Sequence, residues 1–304
     1  MDLSLTVQTE SKTVDKDAVV KMIKTAYKLG YQAVALNVVV GQNALNQKNK
    51  IPEPPVFHLG NEGLRECQTQ KGTFKILTRL TAVASESLQC HRLFQSPVAK
   101  KYDLLAIVPC QEKLFQQLCN QGEFDIISLP LDRMYFNVKR PQFGSAVGRG
   151  LFFEIQYAPC IRDQSARQHI IGRSYGFMQM SKGKGVIISS GATQPHHLRS
   201  PADAANLGFL FSMTESTTRD AIYGNCKSAI LHAETRRRND RAIIYSKDIS
   251  KLPKDDLWLV EACKLPEEYE STSKRVPEDN TEAEPPKKKR KRKGGSKSAA
   301  SSSV

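Results

Sequence analysis

Residues 33 to 40 read Ala-Val-Ala-Leu-Asn-Val-Val-Val, a run with one polar side chain. A strand without a polar face must be covered on both sides, which is how strands lie in a parallel sheet beneath helices. The preceding segment supplies such a cover: from Asp15 to Leu29, apolar residues recur at Val19, Met22, Ile23 and Ala26, a helical spacing closed by Gly30. Asp2 to Val7 alternates well enough to be a first strand, so the chain opens as β-α-β. The rhythm continues with strands expected at Lys75 to Val83, Leu104 to Val108, Phe124 to Leu129, Leu151 to Tyr157 and Val186 to Ser189. Helices are expected at Glu112 to Cys119, Ser165 to Met180, from the Ser200-Pro201-Ala202-Asp203 cap through Phe211, and at Asn225 to Arg238. Seven strands joined by helices suit a closed barrel or an open doubly wound sheet, and periodicity does not choose between them.

Two stretches break the rhythm. Asn43 to Gly72 is polar and carries Pro52, Pro54 and Pro55, which reads as a long excursion. From Pro253 onward charge, Pro, Ser and Glu accumulate while core-forming residues thin out, so the expectation is a folded domain over 1–252 and a disordered charged tail over 253–304. Trp258, Leu259 and Val260 interrupt that tail as a short docking segment. Within it, Lys287, Lys288, Lys289, Arg290, Lys291, Arg292 and Lys293 form an unbroken basic run, with Lys274 and Arg275 upstream as the second arm of a bipartite nuclear localisation signal. The competing reading is a nonspecific RNA-binding or solubilising tail.

The net charge is +14, and removing the basic run still leaves +7, which points to a polyanionic partner without naming it. The seven cysteines include no Cys-x-x-Cys pair and their number is odd, so neither a zinc site nor a secreted disulfide framework is expected. Cys110, Cys119 and Cys160 lie in or beside apolar segments and are expected to be buried. With no apolar leader and no membrane-length apolar run, the expectation is a soluble protein of a reducing intracellular compartment.

Candidate binding residues gather around glycine and proline. In the block from Tyr135 to Tyr157, Pro141, Gly148 and Gly150 punctuate the chain and place Lys139, Arg140 and Arg149 at element ends. Lys139 and Arg140 there either contact phosphate or face solvent. In Lys75-Ile-Leu-Thr-Arg-Leu-Thr81 the strand period sets Lys75, Leu77 and Arg79 on one face. An inward Arg79 then has two outcomes, an internal ion pair with Asp103 or Glu154, or RNA contact. Gly183-Lys184-Gly185 and Gly148-Arg149-Gly150 lack both phosphate-loop and dinucleotide spacing, and no base is evident for Ser189, Ser190 or Thr193. Arg236, Arg237 and Arg238 end a helix, where they complement its dipole.

Taken in order, the Tyr135 to Tyr157 block, the Lys75 to Thr81 strand and Gly185-Val-Ile-Ile-Ser-Ser-Gly191 resemble the barrel-type, thirty-kilodalton protein subunit of nuclear ribonuclease P and RNase MRP, discontinuously from about Asp2 to about Arg238. The resemblance implies an α/β, TIM-barrel-like fold similar to that of metal-dependent phosphoesterases, and chooses the barrel. It implies a non-catalytic subunit of an RNA-based endoribonuclease that removes the 5′ leader of precursor tRNA, and of RNase MRP in ribosomal RNA processing. The implied partners are the ribonuclease P and MRP RNAs, precursor tRNA within the assembly, a small RRM-like protein subunit and further proteins of the two particles, with no membrane. Magnesium would belong to the RNA active site, and the location would be the nucleus, with the nucleolus foremost. The RNA-binding set expected on this basis is Lys75, Arg79, Lys139, Arg140, Arg149, Lys182, Lys184 and Arg199. Phosphoesterases of this fold place a His-x-His pair after the first strand, but the first histidine here is His58. A rival enzyme would need atypical metal ligands from His196, His197 and nearby acids, and a third reading is a basic nuclear scaffold with no RNA role.

Overall fold

Strand β1 (Asp2–Gln8) pairs in parallel with β2 (Ala33–Val40) across helix α1 (Lys16–Lys28), the β-α-β opening that the apolar run requires. The computed structural model describes residues 1–8, 15–46, 51–55, 74–134, 136 and 138–238. The tail signal, the Trp258 segment, His58 and most of the Asn43 to Gly72 excursion lie outside these residues. After the short helix α2 (Gln42–Asn46), β3 (Lys75–Ala84) is followed by α3 (Ser87–Gln95) and α4 (Pro97–Lys100). Next come β4 (Leu104–Pro109), α5 (Glu112–Asn120), β5 (Ile126–Ser128), α6 (Arg140–Gly148), β6 (Phe152–Gln156), α7 (Ala158–Arg162), α8 (Gln164–Ser181) and β7 (Val186–Ser189). A 3-10 turn (Pro195–His197) leads to α9 (Pro201–Leu210), α10 (Glu215–Arg219), a π-helical turn (Asp220–Gly224) and α11 (Asn225–Arg238).

All six strand pairings are parallel and follow chain order. The seventh seam closes the barrel: Leu5 bridges Ala192 in parallel, and the Thr6 amide donates to the Ala192 carbonyl at 2.8 Å. Helices α3, α4, α6 and α7 were not legible in the apolar pattern. Helix α4 has four residues and α7 five, α3 buries the polar Gln89 with only Cys90 and Leu93, and α6, Arg-Pro-Gln-Phe-Gly-Ser-Ala-Val-Gly, buries only Phe143 and Ala146. Pro141 therefore opens a helix, with the Lys139 amide donating to Gln142 Oε1 at 3.0 Å. Cys119 and Cys160 are buried as expected, but Cys110 is exposed at the end of β4. None of the described helices is long and apolar enough to cross a membrane.

The strands' alternation builds two cores. Outward-facing Val34, Leu36, Val38, Leu80, Leu105 and Ile107 pack under the helices. Inside, Leu3, Ala35, Leu77, Leu104, Ala106, Ile126 and Ile187 form an apolar layer with Cys226, Ala229, Ile230 and Ala233 of α11. These strand residues lie toward the N-terminal ends, so α11 is a lid on that end of the barrel. Two ion pairs fasten it, Arg236 Nη2 with the buried Asp125 Oδ2 at 2.9 Å and Arg237 Nη1 with Asp103 Oδ1 at 2.6 Å, and His232 Nδ1 lies within hydrogen-bonding distance of Asp125 Oδ1 at 2.9 Å. The arginines at the end of α11 thus do more than complement the helix dipole.

A carboxyl group stitches the closing seam. Asp2 Oδ1 accepts from the Ser4 and Ser190 amides at 3.2 and 3.0 Å, and Ser190 Oγ donates to the Ser4 carbonyl. Asp2 Oδ2 is buried and has no partner among the described residues. Burial raises the Asp2 pKa more than these hydrogen bonds lower it. A raised folded pKa contributes stability that is full below the unfolded value and is lost as pH rises through the folded value. Asp2→Asn keeps the Oδ1 acceptor without the buried charge. The variant should match or exceed the parent in urea midpoint at neutral pH, and the parent's advantage should grow only on acidification. An unchanged difference between the two from acid to neutral pH would show that Asp2 holds no extra proton in the fold.

Candidate nucleic-acid interface

Toward the C-terminal half of the barrel the interior turns polar, and Arg79 is at its centre. Its guanidinium grips Glu154 through both nitrogens, Nη1 to Oε1 and Nη2 to Oε2, the second at 2.6 Å. Nη1 also donates to the Leu3 carbonyl at 2.8 Å, and Nε to Thr81 Oγ1 at 3.0 Å. Glu154 in turn accepts from Ser189 Oγ at 2.6 Å and Gln156 Nε2 at 3.1 Å. Thr81 Oγ1 donates to Asn37 Oδ1, and Asn37 Nδ2 to Ser4 Oγ. Arg79 is 0 % exposed, so the expectation that it contacts RNA is corrected: the buried cation is satisfied inside the barrel. Of its two possible partners Glu154 is the one used, while Asp103 serves Thr78 and Arg237. Burial by itself would raise the Glu154 pKa, but the Arg79 charge and the hydrogen bonds outweigh it and the carboxyl lies below its ordinary value.

The other expected RNA-binding residues fall on opposite ends of the barrel. Lys75 begins β3, Lys182 and Lys184 lie between α8 and β7, and Arg149 lies between α6 and β6, all at the N-terminal end. The Arg149 guanidinium is engaged there: it donates to the Gly122 carbonyl at 2.6 Å and to the carbonyls at the end of α5. Lys182 and Lys184 are exposed on a turn whose left-handed Lys182 is followed by Gly183 against Thr217 and Gly185 against Val147. Lys139, Arg140 and Arg199 occupy the C-terminal end. Lys139 is exposed with Glu112 Oε1 3.7 Å away, and Arg140 is exposed with no side-chain partner among the described residues.

The loop after β7 is held at the C-terminal end by side chains from two other segments. Tyr31 Oη donates to the Arg199 carbonyl at 2.8 Å, and the Arg199 amide donates to Tyr157 Oη at 3.1 Å. Both phenols are buried, and burial pushes their pKa values well above the ordinary range. Arg199 Nη1 braces the loop through the His196 and Leu198 carbonyls, both at 2.9 Å. The His196 and His197 rings meet edge to face with centroids 4.2 Å apart. Burial, followed by the charges of His196, Arg162 and Arg199, lowers the His197 pKa. Sequence reading singled out Arg199 and the histidine pair but missed Arg162, Tyr31 and Tyr157, whose association depends on β1-to-β7 closure.

A metal fits this corner poorly. The charged side chains acting on His197 are basic, and among the described residues no three His, Cys, Asp or Glu side chains converge as metal ligands.

Comparisons with known proteins agree with this geometry. A family model described as RNase P subunit p30 matches residues 1–238. Ribonuclease P protein subunit p30 of Mus musculus is 36% identical over 225 residues, covering 73% of this chain and 83% of the mouse protein. The probable ribonuclease P protein subunit 3 of Schizosaccharomyces pombe is 35% identical over 226 residues, covering 74% of this chain and 90% of the yeast protein. The ribonuclease P/MRP protein subunit RPP1 of Saccharomyces cerevisiae is 25% identical over 231 residues, or 74% and 75% of the two chains. Among solved structures, a chain in archaeal ribonuclease P with mature tRNA superimposes with a TM-score of 0.56 at 14% identity, over 83% of this chain and 99% of that one, a likeness of fold.

The interior pair yields a stability prediction. Arg79→Met leaves Glu154 buried without its cation and should cost about 3–5 kcal/mol in denaturant unfolding, whereas Arg79→Met with Glu154→Leu should recover much of that loss. Additive single-mutant costs would show that the pair is not coupled.

Proposed function

Because the chain belongs to the RNase P subunit p30 family, we propose that it is a protein subunit of ribonuclease P and of RNase MRP that does not itself cleave RNA. It holds RNA and partner proteins in place while the RNA component removes the 5′ leader of precursor tRNA, and in the MRP particle it supports ribosomal RNA processing. The observation that carries the non-catalytic part is the state of Glu154. This carboxylate lies in the polar half of a barrel whose C-terminal end is where such folds build active sites, yet it is neutralised by Arg79 and occupied by hydrogen bonds. It is thereby unavailable as a general base or a cation ligand. Magnesium belongs, on this reading, to the RNA. The phosphoesterase alternative built on His196 and His197 is disfavoured by the basic side chains around them, Arg162 and Arg199.

Protein partners, a small RRM-like subunit among them, have surface to use. A cleft of about 700 Å³ opens between α8 and the segment before α6, lined by Met134, Phe136, Val138, Gly172, Gly176 and Met180. Phe177 and Arg173 of α8 complete the lining, so the cleft joins apolar side chains to one cation. An exposed, largely apolar cleft of this kind suits a protein-binding surface. The Lys287 to Lys293 run with Lys274 and Arg275 supports residence in the nucleus, and the nucleolus is the address that the family resemblance implies.

Affinity purification of the tagged full-length chain should recover ribonuclease P and MRP RNAs and a particle that cleaves precursor tRNA. The chain purified free of RNA should show no turnover with magnesium, manganese or zinc. Turnover by the RNA-free chain that disappears with His196→Ala and His197→Ala together would overturn the reading in favour of the phosphoesterase.

Deleting Lys287 to Lys293 should shift the isolated chain from nucleus to cytoplasm without changing its thermal unfolding, since the run lies far beyond α11. Undiminished nuclear accumulation in cells lacking the partner subunits would assign this segment another role.

A further inference from the structure

Helix α7 packs against the 3-10 turn at Pro195–His197, and the corner they form holds more positive charge than its contacts use. Arg162 ends α7 at the surface and has no side-chain partner among the described residues. Arg199 spends both Nη1 hydrogens on backbone carbonyls, which leaves the N–H groups of Nε and Nη2 available. His196 is exposed, and its ring rests against that of buried His197, whose Nδ1 has no partner among the described residues. Nearby acids are committed elsewhere. Asp163 accepts from the Ser165 and Ala166 amides as the cap of α8, and Asp203 Oδ2 accepts from Ser200 Oγ at 2.8 Å.

We propose that Arg162, His196 and Arg199 form a seat for one phosphate of an RNA backbone at the C-terminal end of the barrel. The inference rests on the ribonucleoprotein reading above and deepens it by naming where the chain grips RNA. A phosphate offers oxygen acceptors to a planar guanidinium fork, and charge-assisted bonds of this kind are the stronger ones. The seat is preorganised: Tyr31 and Tyr157 fix the Arg199 backbone from both sides, so little ordering cost falls on binding. Arg140, exposed at the start of α6 with no side-chain partner among the described residues, extends the positive charge at the same end of the barrel beyond a single ion. That extension favours a polyanion over free phosphate.

The test uses the full-length chain, a short single-stranded RNA and inorganic phosphate. Modification of His196 by diethyl pyrocarbonate and of Arg162 by phenylglyoxal, read by peptide mass spectrometry, should be suppressed severalfold by RNA. Arg162→Gln with His196→Gln should unfold at the parent's temperature, weaken RNA binding about threefold to tenfold and reduce the salt slope by about one. Absence of protection, or affinity and slope equal to the parent's, overturns the seat. Protection by millimolar inorganic phosphate that RNA neither matches nor competes away also overturns it, as a free-anion site. The parent reading is scored separately: if the unaltered tagged chain recovers no ribonuclease P RNA from cells, that reading fails, and if it recovers RNA while His196 and Arg162 stay unprotected, only the seat fails.

Discussion

A guanidinium and a carboxylate sealed inside a barrel of apolar strands set the terms for the rest of this fold. Removing both ions from water is costly, and the cost is offset only when geometry is good and the remaining hydrogen-bonding capacity is used. Both conditions hold. Arg79 and Glu154 meet in a two-point contact, Leu3 and Thr81 take further guanidinium hydrogens, and Ser189 and Gln156 complete the carboxylate. The contact spans the barrel from β3 to β6 and touches β1 and β7, so any slip in strand register would strand a buried charge. The pair therefore ties the relative register of β3 and β6 to the satisfaction of two buried charges.

The interior gradient also gives the two ends different tasks. The N-terminal half is apolar, and such a layer needs a cover, which α11 supplies with Ala229, Ile230 and Ala233. Arg236 and Arg237 hold that cover against Asp125 and Asp103, carboxylates placed just before β5 and β4. Those arginines are thus spent on the fold. At the C-terminal end the network around Arg79 satisfies itself from within, so the loops above it are free to present cations outward. The basic excess divides accordingly into structural charges and charges left for a polyanion.

Much of the frame was legible in the sequence because it depends on local periodicity. The Ala33 to Val40 run is a strand over its full length, Val186 to Ser189 and Asn225 to Arg238 coincide with the observed elements, and the inward phase of Lys75, Leu77 and Arg79 follows from a period of two. Helices α6 and α7 escaped because proline, glycine and small residues leave too weak an apolar stripe. The choice of Glu154 over Asp103 was not decidable, since both precede or occupy strands and only closure of the barrel brings β6 across from β3. The expected RNA-binding set divides between the two ends of the barrel for the same reason. Alternating direction of strand and helix sends Arg149 and Lys184 to one end and Arg140 and Arg199 to the other, a fact of topology that residue type does not carry.

The loop after β7 is held in a fixed position by the barrel beneath it. A surface cation on a loose loop must be ordered when it binds, and the entropy lost offsets much of the gain. Here the loop bearing His196 and Arg199 is tied to the turn between α1 and β2 through Tyr31 and to the end of β6 through Tyr157, phenols that burial keeps protonated. Tyr157 accepts from the loop and Tyr31 donates to it, so the same backbone residue is held at both its N–H and its C=O. The closure of the seam by Asp2 and Ser190 fixes the strand from which that loop departs. Rigidity thus runs from the barrel seam through the Tyr31 and Tyr157 hydrogen bonds to the backbone of Arg199, whose position is set by the fold.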